Sequence, residues 1–205
     1  MAQSQRRKTE IASMRKSILE AAETLFQEHG YDQTTLRKIA QSIDYNPATI
    51  YNYFKNKEEL FFALQEKAFT KFYQEFDYLR NSSLAGIDKL KKMGETYIHF
   101  GLDHPLDYEL MFIMRNPMNA AEKIDPEWKI GGQAYELLKL IIRECIEEDS
   151  INITDVESGA FLIWSMVHGL VSLQIMDRMV MMIEQDHSEI LDKAFELFDT
   201  LIRKV

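Results

Sequence analysis

The sequence predicts an all-α protein of about nine helices, and three observations support this prediction. Apolar residues recur at helical spacing along most of the 205 residues. Only four prolines and eight glycines interrupt the chain, which favours long helices. We find no alternation of apolar and polar residues of the kind that a half-buried strand shows, and no internal repeat.

The first two predicted helices are defined by the residues at their ends. The first has apolar residues at helical spacing and ends at Gly30, because glycine adopts a positive φ at low cost. Thr34 or Thr35 then offers a side-chain oxygen that can cap a short second helix over residues 36–42.

The third and fourth helices are also predicted from capping residues. Asn46 is a good N-cap and Pro47 suits the first helical position, so a third helix is predicted over residues 46–54. A fourth helix is predicted to begin at Asn56, with Glu59 as its capping-box partner.

The remainder of the chain predicts five further helices. Thr154 and Glu157 form a capping box before one of them, which is apolar on nearly every side and is therefore predicted to be central or shared between subunits. The predicted ranges are 87–101, 106–114, 125–148, 156–183 and 188–203.

The net charge of −9 is unevenly distributed along the chain. Residues 1–57 carry nine basic and six acidic residues, whereas the remainder carries fifteen basic and twenty-seven acidic residues. A mildly basic N-terminal part on an acidic remainder is typical of a localised DNA-binding surface. Arg6, Arg7 and Lys8 form either an arm that reaches the minor groove or a solvated tail.

Several protein classes are disfavoured by the sequence. The single cysteine, Cys145, cannot form an internal disulfide, so a cytoplasmic setting is expected. The N-terminus lacks the apolar run of a secretory signal, and no window approaches 18 consecutive apolar residues, so we expect no membrane span. The sequence has no phosphate-binding loop and no zinc-protease motif, and a single Glu184-x-x-His187 pair does not make a di-iron site, so we predict neither an enzyme nor a cofactor.

The second and third predicted helices have the properties of a helix-turn-helix. The third begins with small residues, Asn46 to Thr49, which allow a helix to approach base edges in the major groove. Ile50 and Phe54 are predicted to face inward. Hydroxyl, amide and ammonium donors suited to phosphates follow on Tyr51, Asn52, Tyr53, Lys55 and Lys57.

This segment resembles the N-terminal domain of the TetR/AcrR family of repressors. The resemblance rests on two stretches, Gly30-Tyr31-x-x-Thr34-Thr35-Leu36-Arg37-Lys38-Ile39-Ala40 and Pro47-Ala48-Thr49-Ile50-Tyr51-x-Tyr53-Phe54-x-x-Lys57-Glu58-Glu59-Leu60. The chain differs from the family in having Asp44 where glycine is usual in the turn, and Tyr53 where histidine is frequent.

The resemblance implies a homodimer that binds a palindromic double-stranded DNA operator and a small-molecule effector. By position, the residues that face the operator are Arg37, Pro47, Ala48, Thr49 and Tyr51, and the phosphate contacts are Thr35, Tyr53 and Lys57. With Asn46 and Asn52 these are the predicted DNA-binding residues. We predict a helix-turn-helix domain over 1–57 and a helical ligand-binding and dimerisation domain over 58–205.

A second resemblance lies in the C-terminal domain. Trp164-Ser165-Met166-Val167-His168-Gly169-Leu170 is similar to the Trp-x-x-x-His-Gly element of one subgroup of the family. Trp164 and His168 either line an effector cavity or form a core tryptophan and a hydrogen-bonded core histidine beside a close contact at Gly169. The predicted ligand-binding residues are Tyr97, Met111, Arg115, Tyr135, Trp164 and His168, with His99, Tyr108 and Phe112 as further choices.

Two function hypotheses follow. The first is a regulator, most often a repressor in this family, that a small apolar or amphipathic molecule releases from DNA. The second is a helical carrier or adaptor whose helix-turn-helix no longer binds DNA, which Asp44 and the net acidity would favour.

Overall fold

A computed structural model describes residues 2–114, 130–180 and 186–204. Within these ranges the chain forms nine α-helices, and β-structure is limited to a single bridge between Ile151 and Arg203. The predicted all-α class is thereby confirmed. The helices are α1 (Ala2–Gln33), α2 (Leu36–Ser42), α3 (Pro47–Ile50), α4 (Lys57–Asp77), α5 (Gly86–Asp103), α6 (Pro105–Tyr108), α7 (Ile130–Glu147), α8 (Val156–Ile175) and α9 (His187–Ile202).

Two shorter turns complete the secondary structure. A 3-10 turn, Tyr78–Asn81, follows α4, and a π-helical turn, Glu109–Ile113, follows α6. The predicted helix over 106–114 is therefore one α-helical turn continued by a π turn. The start of the helix predicted over 125–148 lies outside the described residues.

The described residues divide into two compact units. The first comprises residues 2–68 and 109–114, and the second comprises residues 69–108, 130–180 and 186–204. The predicted domain boundary between residues 57 and 58 stays a prediction.

The core of the first unit is built from one face of each of its helices. Three aromatic rings pack together here, those of Phe26, Tyr31 and Phe61, with ring centroids 4.9 to 5.7 Å apart. Phe61 meets the other two rings edge-on, and the rings of Phe26 and Tyr31 are tilted relative to each other. Gly30, with φ 74°, interrupts α1 as the sequence predicts, and this positive φ directs the chain towards α2. The largest fully buried apolar side chains here are Ile18, Phe26, Ile39, Ile50, Phe54, Leu60, Phe61, Leu64 and Leu110.

The core of the second unit depends on two glycines of α5. A Cβ added at Gly94 would lie 2.6 Å from the ring of Phe195, and one at Gly101 would lie 2.4 Å from Val171. Because these glycines lack a side chain, α8 and α9 can pack closely on α5.

Three helices end on an aspartate with a positive φ. Asp44, Asp149 and Asp177 have φ values of 57°, 54° and 52°. In each case the aspartate N–H and the next N–H donate to carbonyls three and five residues earlier, which is the Schellman arrangement. Asp44 thus completes the turn between α2 and α3.

The helix α8 begins at the predicted residue, but its N-cap and its end differ from the prediction. Its N-cap is Asp155, whose carboxylate accepts a hydrogen bond from the Ser158 N–H at 2.8 Å, so the prediction of Thr154 as the cap was wrong. The helix ends at Ile175 instead of residue 183, because the chain takes the left-handed conformation at Asp177.

One described helix, α8, has the length and composition of a membrane span, with a mean hydropathy of 1.4. A core helix of a soluble protein meets the same criteria, so the finding alone is weak support for a span. Its buried side chains lie on one side, whereas Leu162 and Leu173 on the other side are exposed. Apolar residues therefore lie on both sides of α8, as predicted, and its sharing between subunits stays a prediction.

Candidate nucleic-acid interface and candidate effector site

Two side-chain caps hold the helix-turn-helix in place. Thr35 Oγ1 accepts a hydrogen bond from the Lys38 N–H at 3.2 Å, and Asn46 Oδ1 accepts one from the Ala48 N–H at 2.9 Å. Thr34 is instead buried, and its hydroxyl donates to backbone carbonyls of α1. Of the two predicted caps for α2, Thr35 is therefore the residue used.

The segment over residues 46–54, here called the recognition segment, is less regular than predicted. The α-helix covers only Pro47–Ile50, and the chain continues to Phe54 through shorter-range bonds such as Tyr53 N–H to Ile50 O at 2.9 Å. Ile50 and the polar-aromatic run after it have low helix propensity, which accounts for the tight turn. Ile50 and Phe54 are both buried, as predicted.

The predicted DNA-binding residues all lie in the first unit, at or near its surface. Tyr51 is 58% exposed, which is high for a large aromatic side chain and leaves its hydroxyl accessible. Pro47, Thr49, Tyr53 and Lys57 are half-buried. The exposed members of the set are Thr35, Arg37, Asn46, Ala48, Tyr51 and Asn52.

A surface recess of about 330 Å³ brings four of these residues together. Thr35 and Arg37 from the start of α2 line it, together with Tyr51 and Lys57. Asn56, which was not among the predicted DNA-binding residues, also lines the recess and caps α4 through the Glu59 N–H at 2.7 Å. The remaining lining residues are Thr34, Leu36 and Lys55.

The ammonium of Lys57 is fixed against Tyr31. Its Nζ donates to the Tyr31 carbonyl oxygen at 2.8 Å and lies 4.0 Å from the centroid of the Tyr31 ring. Burial, followed by the carboxylates of Glu58 and Asp32, raises the pKa of Tyr31 to about 12. An ammonium has three N–H groups, so donors remain on a side chain whose position is already set.

Arg15 makes a tertiary contact that was not predicted from the sequence. Its guanidinium donates to the Tyr53 carbonyl oxygen at 3.2 Å and stacks over the Phe54 ring at 4.3 Å. This side chain joins α1 to the end of the recognition segment. No pattern in the sequence indicates it, because the two segments are 38 residues apart.

The second unit contains a hydrogen-bonded cluster of aromatic residues, here called the aromatic cluster: Tyr97, Tyr108, Tyr135, Trp164 and His168. Trp164 Nε1 donates to the Tyr97 hydroxyl at 3.2 Å, which lies 3.2 Å from the Tyr108 hydroxyl. The Tyr108 hydroxyl lies 2.6 Å from His168 Nδ1, and the Tyr135 ring packs edge-on against Trp164.

Burial determines the protonation of this cluster. It lowers the pKa of His168, so the imidazole is neutral at pH 7. It raises the pKa of both Tyr97 and Tyr108, so both hydroxyls keep their protons. The Trp164 Nε1–H can only donate, so its hydrogen bond to the Tyr97 hydroxyl has a fixed direction.

The structure groups only part of the predicted ligand-binding set. Tyr97, Tyr135, Trp164 and His168 lie together, and Tyr108, a further choice in the sequence analysis, lies among them. Met111 is buried in the first unit. Arg115 lies outside the described residues. At Gly169 an added Cβ would meet no described atom within 4 Å, so the close contact expected there is absent from the described residues.

A capped and exposed helix-turn-helix on a helical chain defines a class of DNA-binding regulators, and comparison with known proteins identifies the family. Residues 18–64 match the family described as bacterial regulatory proteins, tetR family. Residues 90–198 match the family described as Tetracyclin repressor-like, C-terminal domain. The chain belongs to the TetR family of transcriptional regulators, which are DNA-binding proteins and not enzymes.

Individual relatives are similar over different lengths. The chain is 41% identical over 54 residues to a transcriptional repressor of Mycobacterium tuberculosis, covering 26% of this chain and 29% of that protein. It is 24% identical over 194 residues to the biofilm operon icaADBC negative transcriptional regulator IcaR of Staphylococcus aureus, covering 93% of this chain and all of that protein.

Solved structures share the fold. The transcriptional regulator FadR of Bacillus subtilis, solved in complex with stearoyl-CoA, has a TM-score of 0.72 at 21% identity, covering 91% of this chain and 98% of that one. At this identity the similarity establishes the fold alone.

Proposed function

We propose that this chain is a homodimeric repressor that acts in the cytoplasm and binds a palindromic operator. A small apolar or amphipathic molecule would release it from this operator. The observation that carries the proposal is the recess that gathers Thr35, Arg37, Tyr51 and Lys57 beside an exposed recognition segment. The alternative of a carrier that does not bind DNA loses its structural argument, since Asp44 adopts the conformation that the turn requires.

For DNA binding we propose two groups of contacts. The small and polar start of α3, from Asn46 to Thr49, would face base edges with Arg37, Tyr51 and Asn52. Thr35, Tyr53 and Lys57 would contact phosphates. Two such surfaces in a dimer would occupy successive major grooves roughly 34 Å apart.

For the effector we propose that the aromatic cluster forms part of its site, in the subgroup of the family marked by the Trp-x-x-x-His-Gly element. The cluster combines large apolar rings with one hydrogen-bonded imidazole, which suits a ligand with an apolar body and one polar group. The stearoyl-CoA complex of FadR makes a long acyl chain a reasonable first candidate. Preferential binding of the effector to one of two dimer conformations would lower DNA affinity without blocking the interface.

The dimer proposal is supported by exposed apolar side chains on α8 and α9. Leu162 and Leu173 are 55% and 49% exposed on one stripe of α8, and Gly169 lies between them. Leu197 and Leu201 are 61% and 68% exposed on α9. A second copy of these two helices would cover both stripes.

The decisive experiment is fluorescence anisotropy of the full chain with duplex DNA from upstream of its own gene. We expect salt-dependent binding that is stronger than binding to unrelated DNA. In Lys57→Gln, affinity falls on all sequences and the slope of log K against log salt decreases in magnitude by about 0.9, as expected for one lost phosphate contact.

A matched control is Lys67→Gln, because Lys67 belongs to the same helix and is paired with Glu23 at 2.7 Å. It is expected to leave the slope unchanged. Absence of salt-dependent binding by the wild-type chain would overturn the proposed function, and an unchanged slope in Lys57→Gln would overturn only the role of Lys57.

A further inference from the structure

The first part of α1 is an exposed basic helix. The helix begins at Ala2, and the side chains of residues 5–13 are all exposed, whereas Ile18 is fully buried. Residues 1–16 contain five basic residues and one acidic residue, in a chain with a net charge of −9. The structure thus shows this segment as a helix, and its contact with the minor groove stays a prediction.

Arg15 fixes which face of this helix is turned towards the recognition segment. Its guanidinium reaches the Tyr53 carbonyl and the Phe54 ring, so the side of α1 that carries Arg15 adjoins the end of that segment. The exposed turns of α1, residues 5–13, therefore extend from a point next to Tyr53, which is one of the predicted phosphate contacts.

Helical geometry places Lys8 on the same face. At 100° per residue, Lys8 lies about 20° from the direction of Arg15 and about 10 Å further along the axis. Arg7 flanks this face at about 80°, whereas Arg6 points in the opposite direction. Arg6 is moreover paired with Glu10 at 2.9 Å. Helical geometry also places Glu10 on the side of α1 that faces away from Arg15.

We propose that Lys8, flanked by Arg7, forms a second phosphate-binding surface that extends the DNA interface beyond the helix-turn-helix. This inference rests on the proposed function as a DNA-binding regulator. The occupant is the backbone of duplex DNA next to the half-site, because the surface is positively charged and continuous, through Arg15, with the recognition segment. A helix holds the two side chains at a fixed spacing and loses less entropy on binding than a flexible arm.

The test compares variants on opposite faces of the same helix. Full-length Arg7→Gln/Lys8→Gln and Arg6→Gln are titrated with operator duplex at several salt concentrations, and circular dichroism confirms that helix content is unchanged. We expect the double variant to reduce the magnitude of the salt slope by about 1.8, and Arg6→Gln to leave it within error of wild type.

Duplex length provides a second measurement. Removing the base pairs that flank the half-sites should reduce the wild-type slope by the same amount and leave the slope of the double variant unchanged. Equal slopes for wild type and the double variant overturn the inference, as does an equal loss in Arg6→Gln, which indicates only long-range charge. If the wild-type chain shows no salt-dependent binding at all, the proposed function itself fails.

Discussion

At the scale of single residues, the protonation of His168 links the aromatic cluster to pH. Its Nδ1 lies within hydrogen-bond distance of the Tyr108 hydroxyl, at 2.6 Å. Because burial lowers the pKa of His168 in the folded chain, the unfolded chain binds a proton more readily. The contribution of His168 to stability is therefore fully present above the unfolded pKa of about 6.5 and is lost as pH falls below it.

We predict that His168→Gln makes the free energy of unfolding less dependent on pH between 7.5 and 5.5. The measurement is urea unfolding followed by circular dichroism at both pH values. The matched control is His99→Gln, an exposed histidine of α5, which should keep the wild-type pH dependence. Equal pH dependence in wild type and His168→Gln would show that the imidazole does not titrate in this range.

Single residues also show what the sequence does and does not reveal. Asn46, and either Thr34 or Thr35, were predicted as caps because a short polar side chain before a helix can accept a hydrogen bond from its first N–H groups. Asp44 was identified as unusual because the family usually has glycine at this position of the turn. The structure places Asp44 in the left-handed conformation, which glycine adopts readily. Arg15 was missed because its contact with Tyr53 depends on tertiary packing alone.

At the scale of helices, local signals predicted beginnings better than ends. The bounds of α2 agree with the prediction, since a cap precedes it and Asp44 follows it. The end of α8 was placed eight residues too late, because the hydropathy pattern continues through Asp177, where the backbone turns. The break at Asp177 depends on one φ angle that an apolar pattern does not encode.

Glycines within helices give a prediction at this scale. We expect Gly101→Ala to lower the free energy of unfolding by about 1–3 kcal/mol, because its Cβ would overlap Val171 and press on the Tyr108 ring. The measurement is urea unfolding at pH 7.5. Gly132→Ala in α7 serves as control, since its Cβ would meet no described atom within 4 Å, and alanine favours the helix by up to about 1 kcal/mol.

The double variant Gly101→Ala/Val171→Ala tests the physical cause. Removing the Cγ1 atom that the new methyl group would meet should restore part of the stability lost in Gly101→Ala, relative to Val171→Ala alone. Strict additivity of the two changes would mean that the glycine is required for another reason.

At the scale of the whole molecule, composition predicted the helical class but not the arrangement of exposed surfaces. The apolar pattern of residues 156–183 and 190–202 predicted helices that pair between two subunits, with burial inside one subunit as the alternative. Only the structure separates the residues inside one chain from those left exposed. Leu191 and Phe195 of α9 are buried, whereas Leu197 and Leu201 are not. A sequence pattern cannot distinguish burial within a chain from burial between two copies, because both require the same residue types.

The exposed stripe of α9 gives the last prediction. Leu197→Glu/Leu201→Glu places four carboxylates in an interface between two copies, where burial of unpaired charge is unfavourable, so we expect a monomer. Sedimentation velocity at micromolar concentration measures the mass, with Leu84→Glu, which alters an exposed leucine outside the helices, as the control.

The same variant separates dimerisation from DNA contact. A monomer keeps its helix-turn-helix but binds only one half-site, so its affinity for a full palindrome should approach its affinity for a single half-site, whereas the control retains the difference. A double variant that stays dimeric would assign the stripe to another partner. A monomer with undiminished preference for the palindrome would mean that operator recognition does not depend on pairing through α9.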